Sequence, residues 1–126
     1  MKVKAKKHLG QHFLTDMSVC QRMTNSIEAD SVDKVLEVGP GMGALTKFLL
    51  EREDFETHVV EVDRESVKYL NENFDSLKGK IYELDFLRIN LSDLMGDKPF
   101  VVAGNFPYNI SSQILFKVLT KIIISN

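Results

Sequence analysis

The sequence predicts an α/β protein built on a doubly wound, parallel sheet. Three observations point there. Short β-branched runs recur along the chain and alternate with segments whose apolar residues repeat at helical spacing. No internal repeat and no Pro/Gly/Ser-rich linker divides the 126 residues, and domains run roughly 100–200 residues, so the chain amounts to about one domain's worth. With 44% hydrophobic residues, 27% charged residues and a net charge of −2, the composition is that of an ordinary globular protein and excludes intrinsic disorder.

The elements follow in order. A first helix is expected over Asp16–Ile27, capped by Thr15 or Asp16, with Cys20, Met23 and Ile27 on one face. Lys34–Val38 (KVLEV) is a strand that ends at a glycine cluster, and Leu45, Phe48 and Leu49 set the stripe of a second helix. Thr57–Val62 (THVVEV) is the next strand, followed by a helix over Arg64–Phe74 that turns Val67, Leu70 and Phe74 inward. Lys80–Leu84 (KIYEL) forms a third strand. Phe100–Ala103 (FVVA) forms a fourth, reached through an irregular stretch around Leu91–Gly96. Ser111 or Ser112 can cap a last helix that carries Ile114, Leu115, Val118, Leu119 and Ile122. Alternation of this kind builds βαβ units with right-handed crossovers and a parallel sheet.

Several function classes drop out. The longest apolar runs, such as Phe100–Ala103 and Ile122–Ile124, fall far short of the ~20 residues a bilayer span requires. The N-terminal lysines have no apolar stretch behind them, so no signal peptide is expected. A single cysteine, Cys20, excludes an internal disulfide and a cysteine-built zinc site, and His8, His12 and His58 show no ligand spacing. No metal is expected, and a reducing cytoplasm is the natural compartment. Sixteen basic residues against eighteen acidic ones do not mark a nucleic-acid binder overall. Lys2, Lys4, Lys6, Lys7 and His8 nevertheless crowd the N-terminus, where a basic arm can touch phosphate or stand as a solvated tail.

In sheets of this type ligands bind beyond the carboxyl ends of the strands, where the strand order reverses. Four informative stretches fall at four predicted strand ends. The first is EVGPGMGALT, residues 37–46, in which Gly39, Gly41 and Gly43 allow a sharp turn and close approach of the backbone to a ligand. Gly39, Gly41 and Ala44 also fit the dinucleotide pattern GxGxxG/A, which leaves a nicotinamide-dependent oxidoreductase open. The second is Glu61, about 20 residues past the first glycine, where a carboxylate can accept from the hydroxyls of a ribose. Nearby Asp63 reads as a helix N-cap. The third is Asp85 in ELDF, which can accept from an adenine amine or simply begin a loop. The fourth is NFPYNIS, residues 105–111. Asn105 offers an amide acceptor, Pro107 constrains the backbone, and Tyr108 brings a ring on which a base can stack. Together these describe a pocket for an amino-bearing base.

These motifs resemble those of the ribosomal RNA small-subunit adenine dimethyltransferases of the KsgA/Dim1 type. The resemblance runs from LGQHFLTD at residues 9–16 through EVGPGMGALT, VVEVDRE and ELDF to GNFPYNISS at residues 104–112. Related methyltransferases acting on large-subunit RNA share the NxPY element, but their glycine loop usually differs from GPGMG. The resemblance implies a Rossmann-like class I methyltransferase fold using S-adenosyl-L-methionine. By it His12 and Leu14 flank the cofactor, Gly39 contacts its methionine moiety and Gly41 of the same turn also binds the cofactor. Glu61 takes the ribose and Asp85 the adenine amine. Asn105 lies where cofactor and target meet, with Pro107 and Tyr108 completing the catalytic element. Where the family commonly has Asn, this chain has His12, and Phe106 stands at a variable, often aliphatic position.

The implied substrate is a pair of adjacent adenosines near the 3′ end of small-subunit rRNA, presented on the immature small ribosomal subunit and methylated twice on each exocyclic amine. Relatives continue with further strands and a helical domain. Residues 1–126 are therefore expected to be a partial domain truncated after about four parallel strands, with FVVA left as an exposed edge. Such a piece is expected to bind cofactor weakly and to methylate poorly, and a non-catalytic docking role on ribosome precursors stays open for it.

Overall fold

The computed structural model describes residues 17–29, 32–104 and 121–124. Within them the chain alternates α1 (Met17–Ser26), β1 (Lys34–Val38), α2 (Ala44–Leu50), β2 (Glu56–Val60), α3 (Arg64–Asn73), β3 (Ile81–Tyr82), α4 (Leu91–Met95), β4 (Val101–Gly104) and β5 (Lys121–Ile124). The strands form one parallel sheet in the order β3-β2-β1-β4-β5. The chain works outward from β1 to β3 and then returns to the far side of β1, so the reversal of strand order lies between β1 and β4.

Alternation along the strands sorts the core onto two faces. Val35 of β1 and Val101 and Ala103 of β4 pack with Cys20, Met23 and Ile27 from the first helix region and with Leu45 and Leu49 of α2. Leu36 and Val102 point the other way, into a cluster with Val60, Phe86, Leu91, Met95 and Phe100. Leu70 of α3 and Leu77 cover Val59. Central parallel strands buried on both faces read as continuous apolar runs, which is why KVLEV and FVVA were visible as strands at all. Asp63 caps α3 as expected, accepting from the backbone N–H of Ser66 at 3.0 Å.

Two expectations change. Ile122 was expected to close a helix, yet Lys121–Ile124 forms β5, paired with β4 from Val101↔Lys121 to Gly104↔Ile124. A short β-branched run such as KIII satisfies a helical stripe and a buried strand equally well, and only pairing decides between them. The sheet thus carries one strand beyond the expected four, and β4 lies between β1 and β5 rather than at an edge. Ser111, Ser112, Ile114, Leu115, Val118 and Leu119 lie outside the described residues. The stretch around Leu91–Gly96, expected to be irregular, holds α4. Its cap is the Asn90 side chain, which accepts from the N–H groups of Ser92 and Asp93, and Gly96 follows at φ 84°. Five residues are too few for apolar periodicity to register.

Candidate functional site

The glycine turn begins where β1 stops. Gly39, Gly41 and Gly43 have φ of 67°, 57° and 87°, the left-handed region that side-chain-bearing residues rarely adopt. The Gly39 N–H donates to the Val60 carbonyl at 3.0 Å, fastening the turn to the end of β2, and the Gly43 N–H donates to the Pro40 carbonyl at 2.9 Å. The three glycines divide into two kinds. Among the described residues a Cβ at Gly39 or Gly41 would meet no atom within 4 Å, so on that side both border open space. A Cβ at Gly43 would come within 2.6 Å of Cε2 and 2.7 Å of Cζ of Phe74.

Glu61 closes the turn from the neighbouring strand end. Its Oε1 accepts from the Gly41 N–H at 3.0 Å and its Oε2 from the Asp63 N–H at 2.8 Å, and the residue is 2% exposed. The Glu61 N–H donates to the Tyr82 carbonyl at 2.9 Å, carrying the same connection to the end of β3. Beside Glu61 two large apolar residues face solvent, Val62 at 63% and Leu84 at 43% exposure. Asp85 follows them, exposed, with Oδ1 accepting from the Leu87 N–H at 3.0 Å. This caps the 3-10 turn Phe86–Arg88, and Arg88 stands 3.6 Å from the other carboxylate oxygen. The structure therefore brings Gly39, Gly41 and Glu61 into direct or backbone-linked contact and sets Asp85 at the adjoining strand end in a loop-starting role. His12, Leu14, Asn105, Pro107 and Tyr108 lie outside the described residues.

Sequence reasoning passed over Glu37, the charged residue inside KVLEV. It is wholly buried, and the Thr46 hydroxyl of α2 donates to its Oε1. Burial pushes its pKa up to about 8, against the lowering effect of the Thr46 hydrogen bond and with a further rise from the Glu61 charge. A carboxyl in a strand that is otherwise a buried apolar run was the signal available. Val62 and Leu84 were read only as strand residues, because exposure at a strand end is a tertiary property.

A hollow of about 450 Å³ lined by Arg52, Asp54, Glu56, Thr57 and Lys80 lies at the amino end of β2, the opposite end from the glycine turn. Within it Arg52 pairs with Asp54 and Lys80 with Glu56, and Asp33 and Glu53 add two further carboxylates to the lining. Among the described residues no group of three or more His, Cys, Asp or Glu side chains could hold a metal ion, and no helix is long and apolar enough to cross a membrane.

The profile of the ribosomal RNA adenine dimethylase family matches residues 2–125, glycine turn and strand ends included. The chain belongs to the ribosomal RNA adenine dimethylase family. Among its relatives is the ribosomal RNA small subunit methyltransferase A of Flavobacterium johnsoniae, 52% identical over 118 residues that cover 94% of this chain and 45% of the relative. The chain thus spans less than half the length of the curated relative it matches. Among solved structures it is similar to the 23S rRNA methyltransferase ErmE, at 31% identity and a TM-score of 0.69, covering 89% of this chain and 44% of that one. It is also similar to a dimethyladenosine transferase from Plasmodium falciparum, at 27% identity and a TM-score of 0.60, covering 79% of this chain and 35% of that one. As a member of that family the chain has the Rossmann-like class I methyltransferase fold, and its glycine pattern belongs to that family's turn rather than to a dinucleotide fingerprint.

Proposed function

We propose that residues 1–126 form part of the cofactor-binding domain of an S-adenosyl-L-methionine-dependent rRNA adenine dimethyltransferase. The whole enzyme methylates the exocyclic amines of two adjacent adenosines near the 3′ end of small-subunit rRNA, on immature subunits in the cytoplasm. The observation that carries this reading is the clasp between Glu61 and the Gly41 N–H, set against the open space beside Gly39 and Gly41 at the reversal of strand order.

The donor set fits the cofactor. Two glycines leave room for close backbone approach. The Glu61 carboxylate, oriented by backbone donors, can accept from ribose hydroxyls, and Val62 and Leu84 offer apolar faces to a purine. Asp85 reads the adenine amine, and His12 and Leu14 flank the site. S-adenosyl-L-methionine supplies an electrophilic methyl group on a sulfonium.

The chain's residues do the rest. Gly104 is in register with Val38, so β4 ends beside the start of the glycine turn, and the NFPY motif follows it in sequence. The Asn105 side chain and the Pro107 carbonyl accept hydrogen bonds from the target amine and favour its tetrahedral, nucleophilic form. Tyr108 stacks on the extruded adenine, as enzymes that modify bases in place require. Attack on the methyl then depends on alignment more than on a strong base.

Two measurements test the reading. Titrated in parallel with S-adenosylhomocysteine and NADH, the chain binds the first and not the second; the reverse result overturns the cofactor assignment. Incubation of the whole enzyme, with labelled S-adenosyl-L-methionine and undermethylated small ribosomal subunits, places label on adenine amines, and Asn105→Ala in that enzyme removes it by orders of magnitude while cofactor affinity changes less. The likeness to ErmE favours a large-subunit target as the second reading. Label appearing on 23S rather than small-subunit rRNA would establish it.

A further inference from the structure

We propose that Glu37 is the proton-linked group of this site: neutral in the ligand-free protein, it gives up its proton when a cationic ligand settles on the glycine turn. The inference rests on reading the turn as a sulfonium-cofactor site and adds to it a carboxyl that cofactor binding ionises.

Glu37 sits one residue before the end of β1 with no exposed surface. Thr46 satisfies Oε1, and Oε2 meets no partner among the described residues. An ionised carboxylate offers about four acceptor positions. One hydroxyl is a poor substitute for the water it loses, and a buried charge so thinly solvated takes up a proton instead. The flanking strands add no compensating charge, since β2 sets Val59 opposite Glu37 and β4 sets Ala103 there. From the far end of β2 the titratable group acting on it is Glu61, whose negative charge opposes a second one nearby. From α2 the facing group is the uncharged Thr46.

The turn joins the two carboxyls. Gly39 begins two residues after Glu37, and Gly41 is bound by Glu61. A positive charge held at the turn therefore interacts with both, and the lone neutral carboxyl is the one able to respond. The step balances simply: the Glu37 O–H bond breaks, its proton passes to buffer, and the carboxylate left behind pairs electrostatically with the bound cation. No covalent bond to the ligand forms.

Calorimetric titration of the 126-residue chain with S-adenosyl-L-methionine at pH 6.5, in two buffers of different ionisation enthalpy, counts the protons. The parent releases close to one proton more per ligand than Glu37→Gln; titration of the ligand's own amine is common to both proteins and cancels. Between pH 6 and 7 the parent's affinity relative to the variant rises by about tenfold and flattens above pH 8, as one linked proton requires. S-adenosylhomocysteine, which lacks the sulfonium charge, draws out a smaller fraction of a proton.

Equal proton release in parent and variant, with binding intact, overturns the linkage and leaves the cofactor reading standing. No binding heat with either ligand overturns the cofactor reading and the linkage with it. A measurement needing no variant is the carbon-13 titration of the glutamate carboxyls in the ligand-free chain. One carboxyl titrating near pH 8 supports the proposal, and all of them titrating in the ordinary carboxylate range sinks it.

Discussion

Replacing Gly43 with Ala separates two reasons for a glycine that look alike in the sequence. At Gly39 and Gly41 an added Cβ meets only the left-handed backbone, since no atom of the described residues lies within 4 Å. That conformation costs an L-residue roughly 1–2 kcal/mol. At Gly43 the same cost applies, and the methyl group also lands 2.6 Å from the Phe74 ring. Phe74 packs against the Val59, Leu70 and Leu77 cluster, so the ring has to be pushed off its own core. Overpacking of this kind adds roughly 1–3 kcal/mol. The expected totals are about 2–5 kcal/mol for Gly43→Ala and about 1–2 kcal/mol for each of the others.

Urea unfolding measures the difference. With a slope of about 1–3 kcal/mol per molar for a small protein, the Gly43→Ala midpoint falls by about 1–2 M and the other two by about half as much. Phe74→Leu in the Gly43→Ala background recovers part of the loss as a positive coupling in a double-mutant cycle. Ligand binding sorts the variants in the opposite order, because Gly41→Ala leaves the fold largely intact but fills space at the turn and weakens S-adenosylhomocysteine binding. Equal destabilisation by all three alanines, with no coupling to Phe74, would refute the division between open and packed glycines.

Glu37 makes ligand-free stability depend on pH. Its pKa stands near 8 in the fold against about 4.5 without it, so the folded protein holds a proton that the unfolded chain releases. The contribution is fully present below pH 4.5 and is lost as pH rises through 8; its size is on the order of a few kcal/mol. Glu37→Gln flattens the profile, and an identical pH dependence in parent and variant counts against the argument. His58 acts in the opposite direction. Burial, the largest influence, holds its pKa below the ordinary histidine range, although hydrogen bonding to Glu56 opposes this. Its contribution is present above pH ~6.5 and lost as pH falls through the folded value. Neutral His58 donates through Nε2 to Glu56 and accepts at Nδ1 from the Tyr82 hydroxyl at 2.9 Å. Tyr82→Phe therefore strands a ring nitrogen and costs about 1–3 kcal/mol by urea unfolding; no loss would show the bond to be unimportant. Leu36→Ala, in the central strand and fully buried, costs about 2–5 kcal/mol with little change of slope, and a loss under 1 kcal/mol would mean the second core face is loosely packed.

Much of the fold was legible because its signals are local. KVLEV and FVVA are apolar runs of strand length, Asp63 precedes a helix it can cap, and the apolar residues of α1 and α3 repeat at helical spacing. β5 was misread for the same reason that β1 was read. Four residues of a β-branched run carry composition but no period long enough to distinguish strand from helix, so pairing with β4 had to decide. α4 escaped because one and a half turns leave no stripe, although its Asn90 cap and following Gly96 were there to be seen.

For the candidate site, the sequence by itself determined which residue types stand at which strand ends: glycines after β1, carboxylates after β2 and β3, and Asn-Phe-Pro-Tyr after β4. That follows from chain order, because a parallel βαβ path returns every strand to the same end of the sheet. Only the tertiary structure decided how those types divide their work. It turned Gly43 against Phe74 while leaving Gly39 and Gly41 beside open space. It tied Glu61 to the Gly41 N–H, left Val62 and Leu84 exposed, and buried Glu37 with one oxygen unanswered among the described residues. Each of these depends on what another strand or helix brings within a few ångströms, and the linear order of residues does not encode that distance.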